Sequence, residues 1–186
     1  TSGDSNVAIG YSAMSATVTG GQNTAVGNSA MEVLTTGATN TAVGYVSLDA
    51  LTTGSNNTAV GWSSLGATTT ANDNTAVGKN SMLINTEGYS NTAIGIYSLR
   101  QNTTGDNNVA VGQSALLNNT TANENVAVGY NSAYSNTTGT RNISIGAYAY
   151  ENSDTESDNL AIGYEAMHTN TAGGTENIAI GNYALD

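Results

Sequence analysis

The chain has 186 residues and a formal net charge of −11, with 14 acidic residues set against Lys79, Arg100, Arg141 and a single His168. That balance excludes a nucleic-acid binder, which needs a basic footprint to neutralise phosphates. Cysteine is absent and no apolar run approaches the roughly 20 residues of a membrane-spanning helix, so disulfides, thiol catalysis, Cys-type zinc sites and membrane insertion by helices are excluded as well. Phe and Pro are also missing, charged residues make up 9% where about 25% is usual, and there are 22 Gly. No charged-then-apolar leader opens the chain, and a first residue of Thr instead of Met is expected of a processed or excised piece.

Self-similarity organises everything else. The pentapeptide Asn-x-Ala-Val/Ile-Gly opens at Asn6, Asn23, Asn40, Asn57, Asn74, Asn91, Asn108, Asn125, Asn142 and Asn159, always 17 residues on, and once more at Asn177, one residue late. The extra residue falls between Thr169 and Glu176. Gly at position 5 of each unit, often a second Gly at position 15 with β-branched residues between, and period-two alternation within Asn-Thr-Ala-Val-Gly rule out a helical hairpin. The pattern predicts an all-β fold, a parallel β-solenoid or β-roll of about eleven rungs, each with two or three short strands. Stacked about 4.8 Å apart, the rungs make a rod of roughly 50 Å. No composition shift interrupts the series, so residues 1–186 read as a single repeat domain.

Stacking turns each repeat position into a column, and the columns follow in chain order. Position 1 is Asn in all eleven units (Asn6, Asn23, Asn40, Asn57, Asn74, Asn91, Asn108, Asn125, Asn142, Asn159, Asn177), which predicts a buried amide ladder from rung to rung. Positions 2 and 4 are Val, Ile, Leu or Thr, and with the Leu/Met column at position 9 they are expected to form the interior. Position 3 is Ala, as in Ala25, Ala42, Ala59, Ala76, Ala93 and Ala110, apart from Ser144; position 8 is only Ala or Ser, as in Ser47, Ser64 and Ser81. Columns that never outgrow Ser signal close contact, with the opposite wall of a flat coil or with another chain. So thin a core favours another chain. Gly at position 5 fits a bend of positive φ or a close backbone approach.

Further along each unit lie the residues with a claim to recognition or chemistry. Position 6 holds Tyr11, Tyr45, Trp62, Tyr130 and Tyr164, and position 7 adds Tyr97, Tyr148 and Tyr183; rings on a rigid face can stack on sugars or merely shield rung edges. Position 10 places Glu151, His168 and Asp186 on consecutive rungs like an acid–base column, and Glu32 and Asp49 at the spacing of a retaining glycosidase pair. The same column also holds Ser15, Gly66, Leu83 and Arg100, so a variable solvated face is the simpler reading and no catalytic residue is assigned. Thr at positions 13 and 14 raises the possibility of ice binding, although strict Thr-x-Thr pairs occur in few rungs. Position 17 runs Glu124, Arg141, Asp158, a ladder of surface charge pairs. The repeating Asp of calcium-binding β-rolls is missing, so neither metal nor cofactor is expected. Sequons at Asn102, Asn118, Asn119, Asn136 and Asn142 arise from the Asn/Thr composition.

The run NVAIGYSA from Asn6 resembles the head repeats of YadA-type trimeric autotransporter adhesins, and the 17-residue form with Thr-Thr-Gly near its end resembles repeats of phage tail fibres and bacterial surface fibre proteins. The resemblance covers essentially the whole chain, with three more residues per rung than the adhesin heads. It implies a left-handed roll, assembly as a trimer, and adhesion or spacing instead of chemistry. The expected function is therefore a structural or adhesive fibre module, extracellular, at a cell surface or on a virion, with further copies of itself as partners and a glycan or cell-surface receptor as ligand. The competing readings are an ice-binding solenoid and a carbohydrate-binding or carbohydrate-cleaving tailspike. Residues Thr1 to Ser5 match positions 13 to 17 and neither end has a capping element, so the repeat is expected to continue in a longer array or to stack end to end.

Overall fold

A computed structural model describes residues 3–169 and 174–185. It is an all-β parallel solenoid whose strands, β1 (Val7–Ile9), β2 (Thr24–Val26) and so on through β10 (Leu160–Ile162) and β11 (Ile178–Ile180), form one eleven-stranded sheet in chain order. Each strand pairs with the same three positions of the next rung, as in Thr41↔Thr58, Ala42↔Ala59 and Val43↔Val60. The extra residue before β11 leaves the register intact, with Leu160 opposite Ile178.

Each rung contains one strand and not the two or three expected. The reason is backbone geometry. Positions 7, 9 and 17 have φ of about +45 to +63° in rung after rung, as at Val46, Leu48 and Asn56. That left-handed region is disfavoured for residues with a side chain by roughly 1 kcal/mol or more each. It is tolerated because it turns each N–H toward a neighbouring rung. Val46 donates to the Asn28 carbonyl at 2.9 Å, Leu48 to Ser64 at 3.1 Å, and Asn56 to Ala38 at 3.1 Å. The remainder of the coil is thus bonded along the rod without being extended. At position 5 the glycine is obligatory: Gly44 has φ +142°, and a Cβ there would collide with the backbone of Gly61.

The sequence expectation placed positions 2 and 4 inside, and the structure reverses it. In the strand Thr58–Val60 only Ala59 is buried, and the flanking Thr58 and Val60 face outward. Parity dictates this. With Asn at position 1 turned inward, a strand must also turn position 3 inward and send 2 and 4 to the other face. The small columns at positions 3 and 8 are therefore interior, and what packs over them is the opposite wall of the same coil. Ser47, Ser64 and Ser81 reach across it to accept this role directly, each hydroxyl donating to the position-3 carbonyl one rung on (Ala59, Ala76 and Ala93) at 3.0–3.1 Å. Anything larger than Ser has no room there.

Leu or Met at position 9 supplies the largest interior side chains of most rungs, and Met31, Leu48, Leu65, Met82, Leu99 and Leu116 are fully buried. Two rungs exchange volume: Ala133 occupies the column where its successor is the buried Tyr150, whose hydroxyl receives a bond from Asn159 Nδ2 at 2.8 Å. The inside-out arrangement sets a direct contrast. Ala59→Lys is expected to abolish folding, since a charge would enter a closed interior. Val60→Lys, one residue on, is expected to keep the far-ultraviolet circular dichroism of the parent, because that side chain already faces outward.

Candidate functional site

The invariant Asn column is the structural site of the molecule. Each Asn carboxamide oxygen accepts the backbone N–H of the Asn one rung on at 2.8–3.1 Å, from Asn6 to Asn177. Its Nδ2 donates across its own rung to the position-15 carbonyl, as from Asn40 to Gly54 at 2.9 Å and from Asn91 to Gly105 at 2.8 Å. The αL residue at position 17 swings the following N–H out of reach of any backbone acceptor, and the side chain supplies the missing one. One residue thereby closes its own coil and clamps the next.

A second amide ladder runs inside the middle of the rod. Position 12 is Leu34 and Leu51 in early rungs, then Thr68, and then Asn85, Asn102, Asn119 and Asn136, all buried. Asn102 Nδ2 donates to Asn85 Oδ1 at 2.7 Å, Asn119 to Asn102 at 2.8 Å and Asn136 to Asn119 at 3.2 Å. In the sequence, Asn102, Asn119 and Asn136 read only as sequons arising from the Asn/Thr composition. The signal was there in four consecutive rungs with Asn in a column that holds Leu34 and Leu51 nearby.

The candidate recognition rings are on the surface. Tyr11 is 78% exposed, and Tyr45, Trp62, Tyr130 and Tyr164 are 55%, 49%, 43% and 39% exposed. Neighbours meet edge to face: Tyr45 with Trp62 at 6.4 Å between ring centres, and Tyr130, Tyr148, Tyr164 and Tyr183 in succession at 5.2, 5.9 and 5.5 Å. A hydrogen bond to Glu165, with some burial, pushes the Tyr164 phenol up to about 12. The position-13 threonines considered for ice binding are occupied, since Thr35, Thr52, Thr103 and Thr120 donate their hydroxyls to the same position's carbonyl one rung on at 2.9–3.1 Å.

Among the acid–base candidates, His168 Nε2 lies 3.0 Å from Glu151 Oε2, and Asn131 Nδ2 donates to the other oxygen at 3.0 Å. Asp186, third in that column, lies outside the described residues. Arg141 grips Asp158 through Nε and Nη2 at 2.6 and 2.8 Å, which holds the Asp158 carboxyl below its usual range. Asp49 moves the other way: burial, helped by the nearby Glu32 charge, raises its pKa. A carboxyl protonated more readily in the folded chain than in the unfolded one favours folding below the unfolded pKa. That contribution is lost as pH rises through the folded value. Asp49→Asn is therefore expected to raise the melting temperature slightly at pH 7, by less than about 1 kcal/mol of stability, and to leave it unchanged at pH 3. Thermal melts at the two pH values check the sign.

Asn74→Ala tests the clamp. It strips the acceptor from the buried Asn91 N–H and one of two donors from the Gly88 carbonyl, which keeps the bond from Asn85 Nδ2. A loss of about 3 kcal/mol is expected, read as a fall in melting temperature of roughly 10 °C.

Among the described residues, no group of three or more His, Asp or Glu is placed to hold a metal, and no helix is long and apolar enough to cross a membrane. Comparison with protein-family models, curated proteins and solved structures gives no match to this chain.

Proposed function

We propose that the chain is a non-catalytic structural and adhesive module of an extracellular fibre, one that associates with copies of itself along the outer face of its sheet. The observation behind this reading is that face. Positions 2 and 4 carry only Val, Ile, Leu and Thr in all eleven rungs, with no charge anywhere in a chain of net charge −11. Val43, Ile94, Ile143 and Ile145 are 38–41% exposed in the middle of the rod. Such a surface is about 50 Å long and 10 Å wide, so a like face laid against it buries about 500 Å² per chain, near the lower bound of a specific interface. The bordering rings of position 6 extend it. A second copy has the same rung spacing and so matches it over its whole length. The resemblance to adhesin heads and tail fibres favours a trimer, at a cell surface or on a virion.

Light scattering on the pure protein tests this. A mass of two or more chains is expected. The double variant Val60→Lys with Val77→Lys, which places two charges on the outward column, is expected to run as a monomer with its β signal retained. A parent chain that is monomeric at high concentration overturns the proposal.

One observation favours a second reading, ice binding. Thr24, Thr41, Thr58, Thr75 and Thr92 face outward on five consecutive rungs beside Val or Ile at position 4, a flat and regular array of hydroxyls and methyls. Thermal hysteresis in the pure protein, lost in Thr58→Tyr, would move the assignment to that function.

A further inference from the structure

The three cations of the chain are placed very differently. Lys79 Nζ lies 4.3 Å from the centre of the Trp62 ring, and Arg141 is held in its bidentate pair with Asp158. Arg100 has no acidic partner among the described residues, and its buried Nε has no acceptor. Its guanidinium lies over Tyr97, 5.7 Å from the ring centre. The two form part of the wall of a cavity of about 340 Å³ completed by Asn80, Leu117 and Tyr134. The repeat assembles this wall: Asn80 and Tyr97 are position 7 of adjacent rungs, and Arg100, Leu117 and Tyr134 are position 10 of three rungs in succession. The groove so crosses four rungs, about 15 Å.

We propose that this groove binds a carboxylated sugar, a hexuronate or sialate residue of a surface glycan. A guanidinium held over a ring, with its Nε buried, is oriented in advance for fork-like pairing with a carboxylate. Its partial desolvation strengthens what the remaining N–H groups gain from an anion. The tyrosine faces and Leu117 offer apolar surface to the C–H face of a pyranose, and the Asn80 amide offers a donor and an acceptor to its hydroxyls. The volume is at the small end of ligand sites, which span about 300–1,000 Å³, and suits one sugar residue with part of a neighbour. The site lies on positions 7 and 10, apart from the outward columns 2 and 4. It rests on the adhesive-fibre reading for its use, since a weak site gains avidity when many copies are displayed together, and not for its existence.

Saturation-transfer NMR on the full chain, with methyl glucuronide and the methyl glycoside of N-acetylneuraminic acid as probes, tests the proposal. Saturable binding of at least one, with a dissociation constant of about 1–10 mM, is expected, and binding of methyl glucoside about tenfold weaker. Arg100→Gln is expected to lose about tenfold or more in affinity with its circular dichroism unchanged. Position 10 accepts Ser15, Gly66 and Leu83 in other rungs, so this substitution does not threaten the fold. Equal binding by Arg100→Gln, acetate binding as tightly as the sugar acid, or no saturable binding of either probe overturns the proposal. Light scattering on the same samples reads self-association separately, so a monomer that binds the sugar acid removes the fibre reading alone. An oligomer that binds neither probe removes the glycan site alone.

Discussion

The hydrogen bond from each Asn N–H to the carboxamide of the Asn one rung below is the interaction on which the rest of this fold depends. It supplies the acceptor that the backbone itself does not offer at the start of every coil. Because the carboxamide must be inside to do so, it also fixes which face of the strand looks inward. From that single orientation follow the burial of Ala at position 3, the limit of Ala or Ser at position 8, and the outward display of every β-branched residue in the sheet.

Much of this arrangement is legible in the sequence. The solenoid, its period and the inward Asn column were legible because each repeats eleven times. The interior assignment of positions 2 and 4 was not, because hydrophobicity and parity point opposite ways. Val and Ile look like core, yet a strand that buries Asn40 and Ala42 cannot also bury Thr41 and Val43. The amide column was the stronger constraint, since an unsatisfied buried N–H costs more than an exposed Val. A thin interior of Ala, Ser, Leu and amides is still a core, and the rod's apolar surplus lies on its outside.

Other features lay beyond sequence reasoning for a different reason. The αL residues at positions 7 and 9 include Val46, Leu48, Tyr97 and Leu99, none of which announces a positive φ. Their conformation is imposed by the neighbouring rungs and does not come from local preference. The Arg100 groove likewise depends on which residues of positions 7 and 10 come together across several rungs. That variation vanishes when the units are reduced to a consensus. Here the consensus residues build the rod, and the departures from it are what distinguish one stretch of the surface from another.

The regular rung-to-rung bonding also sets how the rod responds to load. The hydrogen bonds run along its axis, while the covalent chain winds around it, so a pull on the termini opens bonds one coil at a time from the ends. Each coil that peels away converts a rise of about 4.8 Å into 17 residues of extended chain, a gain of about 50 Å. A rod built this way lengthens by large, repeated steps at nearly constant force, and it dissipates work that a stiffer one would transmit.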